Sequence, residues 1–156
     1  MTPRKIRGPA ERMLGYARVK EARDPGVTAE RLREFAGDDI VPVRLYTAQS
    51  LAAPSDVLLL LARDEEACVR SSVLLNPAAD EPVLRAMAEA ERAASPRRFW
   101  RRPDFSVRRL VVHHPGATPA LRAELLAEGA CGCPRKCDAR ETWEFRMARW
   151  GKAGRP

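Results

Sequence analysis

Residues 69–80 read VRSSVLLNPAAD, and this stretch decides the fold because three related copies of it occur along the chain. Residues 17–28 read ARVKEARDPGVT, residues 43–54 read VRLYTAQSLAAP, and residues 107–118 read VRRLVVHHPGAT. Successive copies begin 26, 26 and 38 residues apart, so the last interval is one 26-residue period plus a 12-residue insertion. Self-similarity at a period of this length is typical of stacked two-helix units.

Each copy carries the signals of one helix ending and another beginning. The residue before a proline is disfavoured in a helix, so the short helices that start at the Val-Arg doublets should end before Pro77 and Pro115. Thr28, Asp80 and Thr118 can then cap a second helix, whose apolar residues recur at helical spacing. The predicted helices are near 43–50, 56–63, 69–76, 81–92, 107–114 and 119–128.

The sequence predicts an all-α fold, because no segment shows sustained strand alternation. We expect one domain, residues 1–156, built as a helical-repeat solenoid of about four repeats. In its C-terminal part Trp143, Met147 and Trp150 recur at helical spacing, which suits a helix that caps the last repeat. The expected segments are repeats at 17–42, 43–68, 69–106 and 107–130, an insertion at 92–103, a cysteine-rich turn at 131–137 and a capping helix at 138–150.

Two segments resemble a known repeat family, the leucine-rich repeat variant, a bacterial module similar to HEAT repeats. They are Leu58–Glu91, LLLLARDEEACVRSSVLLNPAADEPVLRAMAEAE, and Phe105–Ala130, FSVRRLVVHHPGATPALRAELLAEGA. The residues that fit the family pattern are Ala62-Arg63-Asp64, Val69-Arg70, Val73 and Asn76-Pro77. The second copy departs from it, with Ser50-Leu51 in place of Asn-Pro. The resemblance implies a right-handed superhelix of short and longer helices, and no catalytic residues.

In two repeats the arginine of the Val-Arg doublet follows an aspartate by the same number of residues. Asp38 precedes Arg44 by six residues, and Asp64 precedes Arg70 by six. In HEAT-like stacks this spacing lets each carboxylate reach the arginine or the amides of the next helix, so we expect an internal ladder that also includes Arg108. Alternatively, the arginines would form a row suited to phosphate groups.

Three cysteines lie close together in the segment CGCPRKC, at Cys131, Cys133 and Cys137. Thiolates are soft ligands, so this segment could hold part of a tetrahedral zinc site or an iron–sulfur cluster. The alternatives are a loop of reduced thiols, a small core role for Cys68, and histidines that cap a helix or face solvent. The candidates for a further ligand are Cys68, His113 and His114.

The insertion at 92–103, RAASPRRFWRRP, interleaves arginines with aromatic rings. Such a surface can contact phosphate while a ring stacks, and it equally suits an acidic groove on a protein. Alternatively, Phe99 and Trp100 fold back onto the repeats. The predicted partner-binding residues are Arg97, Arg98, Phe99, Trp100, Arg101 and Arg102.

The composition gives weaker indications of function. Lys and Arg exceed Asp and Glu by 28 to 21, and the net charge of +7 favours anionic partners, although a GC-rich genome would give the same arginine excess. The chain has no run of apolar residues long enough to span a bilayer and no secretory signal, so we expect a cytoplasmic protein. We therefore expect a non-enzymatic protein-interaction module. The alternatives are a nucleic-acid-binding protein and a metalloprotein.

Overall fold

The computed structural model describes residues 8–93, 106–132 and 137–153, and within these ranges the chain forms helices and no strand. The all-α prediction is therefore confirmed for this part of the chain. None of the helices found there is both long enough and apolar enough to cross a membrane. The helices are α1 (Pro9–Ala22), α2 (Ala29–Ala36), α3 (Val41–Gln49), α4 (Ser55–Leu61), α5 (Ala67–Leu74), α6 (Glu81–Ala93), α7 (Val107–Val112), α8 (Pro119–Ala127) and α9 (Asp138–Ala153).

All six helices predicted by range are present, as α3 to α8. Helices α2, α6 and α8 start directly after the predicted capping residues Thr28, Asp80 and Thr118. The hydroxyl of Thr28 accepts the amide N–H of Arg31, and the hydroxyl of Thr118 accepts that of Leu121. The short helices α3, α5 and α7 end one or two residues before their predicted ends. They end early because the residues before the proline position form a turn instead of a last helical turn.

This turn has the same hydrogen bonds in four places. A side-chain atom of Asp24, Ser50, Asn76 or His114 accepts the amide N–H two residues later. The main-chain carbonyl of the same residue accepts the amide N–H three residues later, at 3.0–3.2 Å. Four different side chains thus supply one acceptor atom each at corresponding positions of the four copies.

The chain divides into two compact units, and the first covers Met1–Ala79. In this unit α3 packs against α1, α2 and α5, and α2 packs against α4. Asn76 ties the unit together, since its amide nitrogen donates to the carbonyls of Ala48 and Ser50 at 2.9 Å each. Its fully buried apolar side chains include Leu32, Val43, Leu58, Val69 and Val73.

The second unit covers Asp80–Pro156 and is centred on α7, which packs against α6, α8 and α9. Trp143 of α9 is buried, and its indole N–H donates to the carbonyl of Leu110 at 3.0 Å. Its ring also meets the His114 ring edge-on, with centroids 4.4 Å apart. Helix α9 thus packs against α7, and the side chains of Met147 and Trp150 lie outside the described residues.

Candidate metal centre

Three potential metal ligands come from three different helix ends of the second unit. His113 directly follows α7, Cys131 lies after α8, and Cys137 directly precedes α9. Gly129 turns the chain after α8, with a φ of 74° that a side chain would disfavour. The next residue, Ala130, donates its amide N–H back to the carbonyl of Leu125 at 2.9 Å. This glycine-ended cap directs the chain from α8 toward Cys131.

The donor atoms of these residues form a compact triangle. The Sγ atoms of Cys131 and Cys137 are 3.5 Å apart. The Nε2 atom of His113 lies 3.4 Å from the first sulfur and 3.2 Å from the second. A tetrahedral zinc ion, with bonds of about 2.3 Å to sulfur and about 2.0–2.1 Å to nitrogen, would hold its ligands about 3.6–3.8 Å apart. The three observed distances between donor atoms are slightly shorter than these values. A small outward movement of the three side chains would therefore make room for an ion.

Cys137 occupies the N-cap position of α9, where its carbonyl accepts the amide N–H of Glu141 at 3.0 Å. Burial by itself would raise the pKa of the Cys137 thiol. The amides of Arg140 and Ala139 and the guanidinium of Arg109 outweigh burial, and the net shift of the pKa is downward. The Arg109 Nη2 atom lies 3.8 Å from the sulfur. The helix N-terminus and this arginine therefore favour the thiolate, the form that binds metal.

The surroundings of His113 also favour the form that binds metal. Its partial burial lowers the pKa of the imidazole, and the positive charges of Arg140, Arg109 and Arg122 lower it further. A neutral imidazole at neutral pH leaves a ring nitrogen free of its proton, as ligation requires.

The cysteines differ in oxidation state. Cys68 and Cys137 carry free thiols, whereas Cys131 is disulfide-bonded. Metal ligation by Cys131 therefore needs its reduction. Cys133, the third predicted cysteine ligand, lies outside the described residues.

Of the three candidates for a further ligand, the fold brings His113 to the two cysteines. His114 is fully buried instead, and its Nδ1 atom accepts the amide N–H of Gly116 at 2.9 Å. Cys68 is exposed in the first turn of α5, so the expectation that it is a small core residue was wrong. Its neighbour Val69 takes the buried position on that helix.

The predicted ladder residues make two kinds of contact. The carboxylates of Asp38 and Asp64 each accept the amide N–H two residues later, at the start of the next helix, at 2.8 Å. The carboxylate of Asp64 binds Arg44, which lies twenty residues before it, through Nε at 2.7 Å and Nη2 at 3.1 Å. Arg18 and Asp38 pair over the same separation, at 3.1 Å. The contact six residues back is to main chain, since Arg44 donates to the carbonyl of Asp38 and Arg70 to that of Asp64.

Arg108 belongs to the same pattern, and its nearest carboxylates were not predicted. It pairs with Glu128, again twenty residues later, at 3.5 Å. Glu91 accepts the amide N–H groups of Val107 and Arg108 at 2.9 and 2.8 Å, from the opposite side of the insertion. The repeat spacing could not indicate Glu91, because the insertion at 92–103 separates it from the doublet Val107-Arg108.

The predicted partner-binding residues Arg97, Arg98, Phe99, Trp100, Arg101 and Arg102 lie outside the described residues.

Comparison of the chain with protein-family models, with curated proteins and with solved structures finds no match. The resemblance to the leucine-rich repeat variant therefore stays a prediction from the sequence.

Proposed function

We propose that this chain is a zinc-binding helical-repeat protein, in which the ion fastens α9 to the last pair of helices. The observation that carries the proposal is the triangle of His113 Nε2, Cys131 Sγ and Cys137 Sγ, with edges of 3.2–3.5 Å. Three donors this close can all reach one ion. Because the three donors lie at the ends of α7, α8 and α9, the ion would connect these three helices.

The donor set favours a single zinc ion over an iron–sulfur cluster. In a four-iron cluster each cysteine binds its own iron, which would separate the two sulfurs more widely than 3.5 Å. Thiolate and imidazole are typical ligands of zinc, and a structural site takes four such ligands, so the proposed site needs one ligand beyond these three. A structural ion stabilises the fold and contributes no catalytic step, so the proposal assigns no enzymatic activity.

The metal content of the purified protein tests this proposal. The full chain, purified under reducing and oxygen-free conditions, should contain close to one zinc ion per molecule, and Cys137→Ser and His113→Asn should lose it. Cys68→Ser is the matched control, because that thiol is exposed in the other unit and should not affect zinc. Co²⁺ in place of zinc should give the strong visible absorption of a tetrahedral thiolate site. Reduced wild-type protein that takes up neither ion would overturn the proposal.

We propose further that the helix pairs are copies of one repeat with a 26-residue period, arranged as in a right-handed solenoid. Two observations support the common repeat, while the right-handed arrangement is what the resemblance to the leucine-rich repeat variant implies. The four turns at Asp24, Ser50, Asn76 and His114 make the same two hydrogen bonds. Arginine–carboxylate pairs separated by twenty residues occur in both units, as Arg44 with Asp64 and Arg108 with Glu128.

A second candidate function is protein binding, and the outer residues of α1 favour it. Met13, Leu14 and Tyr16 expose 59–71% of their surface on this one helix. Large apolar side chains grouped on a surface are typical of interaction sites. Capture of a partner from native extract should therefore be lost when Met13 and Tyr16 are both changed to serine. Leu60→Ser, at an exposed leucine of the same unit, is the control that should keep it.

The insertion is the proposed site for an anionic partner, with Trp100 and its neighbouring arginines in contact. Trp100→Ala should weaken such binding without lowering the melting temperature. A steep loss of binding with added salt would assign the partner to nucleic acid, and a shallow one to protein. A large drop in melting temperature would instead make Trp100 a core residue.

A further inference from the structure

A cavity of about 870 Å³ lies beside the candidate metal centre, within the second unit. Its volume falls in the range of small-molecule sites. Two of the three metal ligands, His113 and Cys131, form part of its wall. The other residues that matter for its chemistry are Val112, Leu126, Arg122, Arg140 and Glu144.

The six arginines of this unit whose side chains the structure describes fall into two groups. Three guanidiniums near α6 and α8 are neutralised by carboxylates, those of Arg85, Arg92 and Arg108. Arg109, Arg122 and Arg140 make no ion pair with any carboxylate among the residues that the structure describes. All three lie close enough to His113 to lower the pKa of its imidazole. The surroundings of His113, which forms part of the cavity wall, therefore carry an excess of positive charge.

The thiolates do not cancel this charge. In the reduced, metal-loaded protein the two charges of zinc would balance those of Cys131 and Cys137, which leaves the guanidiniums uncompensated. Among the described residues of the wall there is one carboxylate, Glu144, against the two arginines Arg122 and Arg140. A buried or half-buried positive charge is stabilised most effectively by a hydrogen-bonded anion.

The two arginines are held differently. Arg122 is fixed, since its Nη2 atom donates to the carbonyl of His114 at 2.9 Å, and its buried Nε atom has no hydrogen-bond partner. Arg140 lies in the first turn of α9 and is exposed. A fixed guanidinium can orient a ligand, while an exposed one can move to close over it.

We propose that this cavity binds a small molecule with an oxyanion head, a carboxylate or a phosphate, held by Arg122 and Arg140. The apolar part of the molecule would pack against Val112 and Leu126. Arginine suits both oxyanions because its planar donors match two acceptor oxygens at once. This site is additional to the zinc site, and guanidiniums make its principal contacts, but its excess of positive charge rests on the proposed binding of zinc by the two thiolates.

The test uses three probes that share an aromatic ring: phenyl phosphate, benzoate and neutral benzyl alcohol. Binding to the reduced, zinc-loaded full chain is measured by titration calorimetry and by ligand-observed NMR. At least one of the two anions should bind at least tenfold more tightly than benzyl alcohol, and that affinity should fall with added salt. The tighter of the two identifies the head group as phosphate or carboxylate.

Arg140→Gln should weaken binding of that anion about tenfold or more, and Arg140→Lys should restore part of it. Arg63→Gln is the matched control, since it removes the same charge from an exposed position in the first unit. Zinc content and far-ultraviolet circular dichroism are recorded on every sample. Equal affinity for anions and benzyl alcohol, or equal effects of Arg140→Gln and Arg63→Gln, would overturn the inference. Those results, obtained with zinc still bound, would leave the zinc proposal intact.

Discussion

Arg44 and Asp64 form a two-point ion pair whose side chains are only 10% and 6% exposed. The same carboxylate accepts the amide N–H of Glu66 at 2.8 Å, and Arg44 also donates to the carbonyl of Asp38. The pair is therefore part of a buried network in which each nitrogen of the Arg44 guanidinium has an acceptor. Such networks are costly to break, because removing one partner leaves a buried charge unpaired.

Replacing Asp64 with alanine should lower the free energy of unfolding by about 1–3 kcal/mol, since the guanidinium and an amide lose their acceptor. The exposed pair Arg33–Asp56 provides the control, because its side chains are 48% and 58% exposed. Asp56→Ala should cost about 1 kcal/mol or less, as water replaces the lost contact. Chemical denaturation measures the free energy of unfolding of both variants. Equal costs for the two variants would contradict the role assigned to burial.

Trp143 should be a principal residue in the docking of α9. It is 3% exposed and donates a hydrogen bond to Leu110. Trp143→Ala should destabilise the protein by about 3–5 kcal/mol, because a large buried ring is removed. Trp143→Phe should cost less, since it keeps most of the packing and loses only the N–H. Phe145→Ala, at a side chain 67% exposed on the same helix, should change stability by about 0.5 kcal/mol at most.

Glu91 should hold the start of α7. Its carboxylate accepts two amide N–H groups, and it also accepts the hydroxyl of Ser106 at 3.1 Å. We expect Glu91→Gln to cost about 1–2 kcal/mol, because the amide keeps the shape but loses the charge that favours a helix N-terminus. Glu89→Gln, exposed on the same helix, is the matched control in thermal denaturation. A Glu91 variant as stable as this control would show that Ser106 caps α7 unaided.

Features that depend on neighbouring residues in the sequence, such as helix starts, could be predicted. Contacts that depend on how the helices pack against one another could not. Thr28 and Thr118 mark helix starts because a hydroxyl caps only its own helix. The partner of Arg44 depends on how one helix pair lies on the next, so the six-residue spacing does not identify Asp64 as the carboxylate that binds it. Likewise, the cysteines were recognisable from their spacing. His113 joins them only through the fold, eighteen residues from Cys131.

Zinc binding should weaken as the pH falls, because protons compete with the ion for His113 and the thiolates. The pKa of His113 is lowered, so the imidazole stays neutral at pH 7 and becomes protonated only below its ordinary range. The unfolded chain binds that proton more readily, so the contribution of His113 to stability is present above about pH 6.5 and is lost as the pH falls further. Competition with a chromophoric chelator between about pH 7.5 and 5 measures the affinity for zinc.

The pH dependence should identify which ligands take part. In wild-type protein the affinity for zinc should fall steeply over this range, as both the imidazole and thiolate ligands are protonated. His113→Asn should bind zinc more weakly at pH 7.5 and lose affinity less steeply below about pH 6.5, since one titrating ligand is absent. Cys68→Ser should follow the wild-type curve because its thiol is exposed outside the site. A His113→Asn curve parallel to that of the wild type would mean that this imidazole is not a zinc ligand.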